Sequence, residues 1–409
     1  MTSEWRTEPL NDVISYIAKG IPPAYVEVEG ENTVRVLNQK CNRDFAISYA
    51  ESRLHDLNKR NVPQEKYLRD GDILINSTGT GTAGRIAQLN TVPFPTIVDS
   101  HMIILRGNEK VKPLYLGYAL KAQQATVLQL DEGSTGQTEL NRDRLLAEIE
   151  VSYPVSLDEQ DAIVSVLSAL DDQIITNKKI NHHLEQIAQA IFKSWFVDFE
   201  PFGGVMPDDW REGTLGDICS FQAGFAFPKD EQGAVASDIP FIKVSDMNSV
   251  ENGYFIIRSN NWISNETAKR LKLKLAPIGA IVFAKIGEAL KAERLRVIVR
   301  LTAIDNNMMT AIASSPVYAA YLPFLLEDIH LAEWAEGSAL PYLRQSDLTK
   351  IPIVIPAQKA LKFFSAVMKP IEGMKLMKSK EGSHLASLRD SLLPRLMSGE
   401  LSVSDLPAK

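Results

Sequence analysis

Three glycines spaced as Gly79-x-Gly81-x-x-Gly84 have the pattern that lets a backbone wrap a dinucleotide pyrophosphate, provided a helix comes next to aim its N-terminus at the phosphates. The next residues are Arg85-Ile-Ala-Gln-Leu-Asn, then Pro93 and Pro95, too short and broken a stretch for that helix. The segment therefore predicts no cofactor site. Either a turn whose amides and hydroxyls face a backbone phosphate, Ser77 and Thr78 among them, or a structural hairpin fits it. Glu288 and Lys291 have the spacing of a nuclease pair without a preceding aspartate motif. His101 closes an Asp-Ser-His run, but the matching residue further along the chain is Asn307, which argues against chemistry at that position. His182 and His183 are neighbours on a predicted helix, so they point to different faces and do not form a metal pair. No Gly-Lys-Ser/Thr phosphate loop and no Asn/Asp-Pro-Pro-aromatic motif is present. Neither a catalytic centre nor a metal or cofactor site is expected in this chain.

Charge points instead to a polyanion. The net charge is −7, yet the segment from Arg258 to Arg300 holds ten Lys/Arg against three Glu, and that from Arg35 to Arg69 holds eight basic residues against four acidic ones. Either cluster alone could be a solvated face; their recurrence at matching places favours nucleic acid. Base edges are read by Arg or Lys at guanine and by Asn or Gln at adenine, while phosphate contacts only position the protein. The candidates in the first half are Lys40, Asn42, Arg43, Arg53, Lys59, Arg60, Ser77, Thr78, Arg85, Gln137, Asn141 and Arg142. Those in the second half are Lys243, Arg258, Asn260, Asn261, Lys285, Lys291, Arg294, Arg296, Arg344 and Gln345.

The elements that must hold these residues occur twice. Trp5, Gly71, Asp99, Glu132 and Pro154 are answered by Trp210, Gly279, Asp305, Glu336 and Pro356, at offsets of 202 to 208 residues. In the first copy, strands are expected at 34–37, 72–76, 97–105 and 149–154, with a helix over 114–130. In the second, strands are expected at 239–244, 280–284, 297–299 and 351–355, with a helix over 319–336. Each copy is thus a mixed α+β unit. After Pro154 the pattern changes to coiled-coil spacing, with Ile163, Leu167, Leu170 and Ile174, then Ile180, Leu184, Ile187 and Ile191, and a phase slip near Asn177. A helix over 157–199 would be about 60 Å long. The stretch carries seven Asp/Glu against three Lys. A second helical run over 360–396 contains Pro370, Gly382 and Pro394, which should kink or break it. Trp195, Phe196 and Phe199 end the first run, either buried against a domain or exposed as a docking surface.

Four segments resemble those of the specificity subunit of type I restriction-modification enzymes, and together they span nearly the whole chain. They are the strand-and-turn at Gly71 and again at Gly279, the Gly-Ser turns leading to Pro154 and Pro356, the central segment from Leu157 to Phe199, and the distal Leu385 to Leu401. The resemblance implies two tandem mixed α/β target-recognition domains separated by long helices that pair as an antiparallel coiled coil. Recognition domains would occupy 1–155 and 203–357, with helical spacers at 156–202 and 358–409. Each domain would read one half of a split duplex DNA sequence, and the spacers would set the unread gap. Such a subunit is not an enzyme. It docks two methyltransferase subunits and, through them, restriction subunits, and S-adenosylmethionine, ATP and Mg belong to those partners. Pro370 and Gly382 depart from a straight second spacer.

Cytoplasmic location is expected. Only Cys41 and Cys219 are present, the first residues lack the apolar centre of a signal peptide, and no apolar run is long enough to cross a bilayer. The rival classes are a DNA-modifying nuclease with an unrecognised active site and a coiled-coil scaffold that binds only protein. The missing motifs oppose the first, and the paired basic segments oppose the second.

Overall fold

The computed structural model describes residues 4–132, 138–249, 251–337 and 340–406. Two compact units emerge, Met1–Asp172 with Ala386–Lys409, and Gln173–Leu385. In the first, the opening strand Trp5–Pro9 pairs antiparallel with Glu150–Pro154, so the chain leaves the domain beside the point where it entered. In the second, Arg211–Thr214 does the same with Pro352–Ile355.

Each unit carries a related pair of sheets, of four and four strands in the first and of five and three in the second, where Phe255–Ile256 adds a parallel edge. In the first, Ile14–Lys19, Met102–Gly107, Ile73–Asn76 and Ile86–Gln88 form an antiparallel sheet. A second sheet places Thr96–Val98 parallel to Thr33–Leu37, followed by Arg53–Asp56 and Tyr25–Val26. In the other unit Cys219–Ala223, Met308–Ala313, Ile281–Ala284 and Arg296–Ile298 repeat the first sheet. Ile239–Ile242 lies parallel to Ala303–Ile304, as in the second. The central strands Ile73–Asn76 and Met102–Gly107 are mostly apolar because both faces are covered; Ile73, Leu74, Ile75, Ile103, Ile104 and Leu105 are all buried. The strand expected over 97–105 is two strands, Thr96–Val98 and Met102–Gly107, in different sheets. The chain turns at Asp99, whose carboxylate accepts the His101 amide at 3.0 Å. The helix expected over 114–130 is Pro113–Ala122 followed by the short Gln124–Val127. That expected over 319–336 contracts to Leu322–Asp328, ended by His330 in the left-handed region at φ 53°.

The two long helices are Leu157–Phe196 and Gln358–Met397, each of 40 residues. Segments of both contribute to each unit and run antiparallel there. In the first unit, Ile163 and Leu167 share a core with Leu393, Leu396 and Met397, and Arg389 bonds Asp171 at 2.6 Å. In the second, Asn181 meets Ser379 at 2.9 Å and Glu185 pairs with Lys375: four residues forward in one helix is four back in the other. The expected slip near Asn177 is absent. The seam steps 4, 3, 4, 3 without interruption through Ile163, Leu167, Leu170, Ile174, Asn177, Asn181, Leu184, Ala188, Ile191 and Trp195. Asn177 is 1% exposed while Ile187 is 50% exposed. Apolar residues alone gave the wrong phase because two asparagines occupy seam positions, a use of polar residues that fixes register at some cost in stability.

The second helix also runs unbroken through Pro370, Gly382 and Pro394. A mid-helix proline costs about 3 kcal/mol and a glycine about 1 kcal/mol. Burial of Leu361, Phe364, Met368, Leu393 and Leu396, at about 1.5–3 kcal/mol each, outweighs that loss. Pro370 and Pro394 both lie on the exposed side.

Candidate nucleic-acid interface

Three loops converge in each domain, and main-chain hydrogen bonds hold them. In the first domain, Ser77 N donates to His101 O at 2.7 Å, Leu140 N to Ser77 O at 2.8 Å and Gly79 N to Thr138 O at 3.1 Å. In the second, Lys285 N donates to Asn307 O at 2.9 Å, Leu343 N to Lys285 O at 2.9 Å and Gly287 N to Pro341 O at 2.8 Å. The frame extends to a glycine that sequence reasoning missed. Gly20 N donates to Met102 O and Gly224 N to Met308 O. A Cβ on Gly20 would lie 2.2 Å from Asp99 O, and one on Gly224 1.9 Å from Asp305 O. A glycine repeated beside a repeated aspartate was the available signal.

The glycine run Gly79, Gly81 and Gly84 sits in this frame with positive φ at all three. It joins antiparallel strands Ile73–Asn76 and Ile86–Gln88, so it is a hairpin loop and not a strand-to-helix phosphate turn. Side chains on the frame differ between domains. In the first, Thr78 bonds His101 Nδ1 at 2.9 Å and Lys19 pairs with Glu139. In the second, Arg344 meets the Tyr342 hydroxyl at 2.5 Å, and that hydroxyl donates to Glu336 at 2.9 Å. Burial raises the Asp99 carboxyl above its ordinary range, opposed by the amide and ring of His101.

The structure sorts the expected base-reading residues. Lys40, Arg43, Arg142, Asn260, Arg294 and Gln345 are exposed, and Lys285 is half-buried at the frame. Arg85, also half-buried, turns back on Gly81 O at 3.4 Å. Others are engaged within the protein. Arg53 stacks on Tyr25 at 3.5 Å, Arg60 donates to Pro22 O at 2.6 Å and Lys59 lies 3.9 Å from Asp56. Asn141 caps the helix Arg142–Glu148, accepting from Arg144 N. Lys243 contacts Gln232, and Lys291 pairs with Glu288 at 2.6 Å. Arg258 bonds Ser383 on the second long helix at 3.0 Å and pairs with Glu251. Arg296 donates to Asn252 O at 2.9 Å, and burial lowers its pKa.

Three expectations are corrected. Asn42 is 1% exposed and donates to Asn76 Oδ1 and Arg85 O; Ser77 is fully buried; Asn261 is buried and accepts from Gly233 N. The Asn42 and Asn261 side chains hold loops, Ser77 is held through its main chain, and none of the three is exposed to a groove. Gln137 lies outside the described residues.

Of the two readings of the aromatic triplet, burial against a domain describes Phe196, while Trp195 and Phe199 are half-buried. Phe196 is buried among Trp210, Tyr321 and Phe364, with centroids 5.7, 4.8 and 4.9 Å away. Trp195 packs on Phe202 and Phe364, and Phe199 on Trp210. The triplet seals the second unit's core around the helix end, where large rings gain more from burial than from exposure.

Each domain is fastened to the helices by buried charge. In the first unit Asp171 accepts from Arg389 at 2.6 Å, Tyr118 at 2.9 Å and Lys121 at 3.1 Å. In the second, Lys375 pairs with Glu185 and stands 3.3 Å over the Tyr254 ring, while burial pushes the neighbouring Glu372 up to about 7. Among the described residues no cluster of three or more His, Cys, Asp or Glu could hold a metal, and no helix is long and apolar enough to cross a membrane.

A family model described as the type I restriction modification DNA specificity domain matches residues 2–186 and again 207–380. The MjaIX specificity subunit of a type I restriction enzyme from Methanocaldococcus jannaschii is 35% identical over 371 residues, covering 85% of this chain and 83% of the relative. The HindI specificity subunit from Haemophilus influenzae is 23% identical, covering 98% of this chain and 100% of the relative. The crystal structure of a type I restriction-modification S subunit from M. genitalium superposes with a TM-score of 0.59 at 15% identity, covering 97% of this chain and 96% of that one.

Proposed function

The chain belongs to the type I restriction-modification DNA specificity family and is a non-catalytic specificity subunit with two target-recognition domains; from that premise we propose how its parts divide the work. Residues 1–155 and 203–357 each read one half of a bipartite duplex sequence. Residues 156–202 and 358–409 are the spacers that set the unread gap. Two methyltransferase subunits dock on the chain and place their active sites over an adenine in each half, and restriction subunits join through them. S-adenosylmethionine, ATP and Mg act in those partners, and the assembly works in the cytoplasm.

The observation that carries this reading is the duplicated main-chain frame with unlike side chains: one scaffold built twice suits two different half-sites. Exchanging residues 1–155 for the corresponding domain of another family member should change one half of the methylated motif and leave the other half unaltered. Sequencing modified bases in cells carrying the exchange reads this directly. A change in both halves, or in neither, rejects the division.

For methyltransferase docking, a surface more exposed than the half-buried Trp195 and Phe199 is present on the second helix. Phe363, Val367, Pro370, Met374 and Met377 are exposed and step 4, 3, 4, 3 along the second helix, about 100° round it from the buried Phe364, Met368 and Lys375. Exposed Lys359, Lys362, Lys369 and Lys380 edge this stripe, which suits an acidic amphipathic helix. Met374→Asp combined with Phe363→Asp should weaken co-purification of the methyltransferase at least about thirtyfold, the effect of losing even one central interface residue of about 2 kcal/mol. Helix content by circular dichroism should stay constant. Undiminished capture would place the dock elsewhere.

A further inference from the structure

Specificity is assigned by family to two domains, but not to particular side chains, and the basic segments that suggest DNA are largely engaged within the fold. We infer that the half-site is read at the convergence of the three loops, by the side chains that the shared frame presents. In the first domain these are Lys19, Thr78, His101 and Glu139; in the second, Lys285, Asn307, Tyr342 and Arg344. The inference rests on the reading of the domains as DNA-recognition units.

Three observations carry it. The first is that the frame is made by main-chain groups. Besides the bonds above, Asp99 N donates to Leu37 O as Asp305 N does to Ile242 O. The Asp99 carboxylate takes the His101 amide as Asp305 takes that of Asn307, at 3.0 and 2.9 Å. A frame built this way constrains the chain path and leaves the outward side chains free to vary. The second is that they do vary, position by position. Ser77 answers to Lys285, Thr78 to Ile286, His101 to Asn307 and Glu139 to Tyr342, as fixed by the matching hydrogen bonds and by the bridges Thr78–Glu139 and Ile286–Tyr342. The third is chemistry and exposure. Lys19, His101, Glu139, Asn307 and Arg344 are exposed, and they are donor and acceptor types that address base edges. The first domain presents an ion pair beside a hydroxyl–imidazole bond; the second presents an Arg–Tyr–Glu chain. These are two different donor and acceptor patterns on one frame.

Outside the frame, Arg258 and Arg296 are half-buried against Ser383 and Asn252 O, and Arg53 and Arg60, though exposed, lie on the Tyr25 ring and on Pro22 O. They suit phosphate contact or architecture, and neither role chooses a base.

The test uses the complete chain assembled with its methyltransferase subunits. Bound duplexes are selected from a pool randomised in the first half-site, with the second half held at its cognate sequence. His101→Asn installs the residue that the same frame tolerates in the other domain, and Lys19→Ala removes one side of the ion pair. Each variant should shift or relax the selected base at one or more positions of the first half by about tenfold or more. The reciprocal pool, randomised in the second half, should return the wild-type sequence. An unchanged first half-site for both variants, with or without weaker overall binding, overturns the inference. So does a change produced only by Arg53→Ala or Arg60→Ala. If wild-type complexes select no sequence in either pool, the reading of the domains fails instead, which separates the two failures.

Discussion

Asp171→Ala should destabilise the unit built from Met1–Asp172 and Ala386–Lys409 by about 3–5 kcal/mol, the cost of breaking a buried ion pair by removing one partner. Asp171 accepts from Arg389, Lys121 and Tyr118, and the three charged side chains are only 17%, 13% and 22% exposed for Arg389, Lys121 and Asp171. Removing the carboxylate takes from Lys121 its acidic partner and leaves Arg389 with the exposed Asp390. Burial alone would raise its pKa, but Lys121 and Arg389 overcome that and hold it below its ordinary value of 3.8. Burial also lowers Lys121 below the usual lysine range, while Arg389 cannot shed its proton. With a depressed folded-state pKa, the stabilisation is present above the unfolded value near 3.8 and is lost as pH falls through the lower folded value. Urea unfolding of wild type and Asp171→Asn should therefore differ at pH 7, and the gap should close below pH 4. Equal stability at pH 7 would show that the cluster is incidental.

Gly224→Ala should be worse, at upward of about 4 kcal/mol. The added methyl would sit 1.9 Å from Asp305 O and 2.6 Å from Ile304 O, both main-chain atoms at the end of the parallel strand pair Ile239–Ile242 and Ala303–Ile304. Neither can swing aside as a side chain could. Opening that approach also breaks the bonds from Gly224 N to Met308 O and from Phe225 N to Ile304 O. Gly253 in the same unit has nothing within 4 Å of a built Cβ, so Gly253→Ala should stay within about 0.5 kcal/mol of wild type. Paired thermal melts distinguish the two. Similar melting temperatures would mean that the frame yields where its geometry says it cannot.

The sequence carried the architecture further than it carried the contacts. The repeat was legible because Gly71 and Gly279 both need positive φ, 83° and 84°, and because Asp99 and Asp305 close the same turn. The first long helix was legible from Ile163 to Ile174, where the seam is apolar. It was misread beyond, because Asn177 and Asn181 hold seam positions that apolar counting skips. The second helix was misread for the opposite reason: Pro370 and Gly382 are local breakers, and local propensity yields to packing that only tertiary structure reveals. The same limit governs the interface. Arg258 and Arg296 look like surface cations in sequence, but Ser383 and Asn252 engage them from 125 and 44 residues away. The hydrogen bonds of the loop frame run between main-chain atoms, so no residue type announces them.

Deleting the gene for this chain from cells that also carry its methyltransferase subunits, and sequencing the genome for modified bases, tests the account most directly. A split adenine-methylation motif should be present before deletion, disappear with the chain and return when it is resupplied. Methylation that persists unchanged without the chain would contradict its role as the subunit that chooses the sequence.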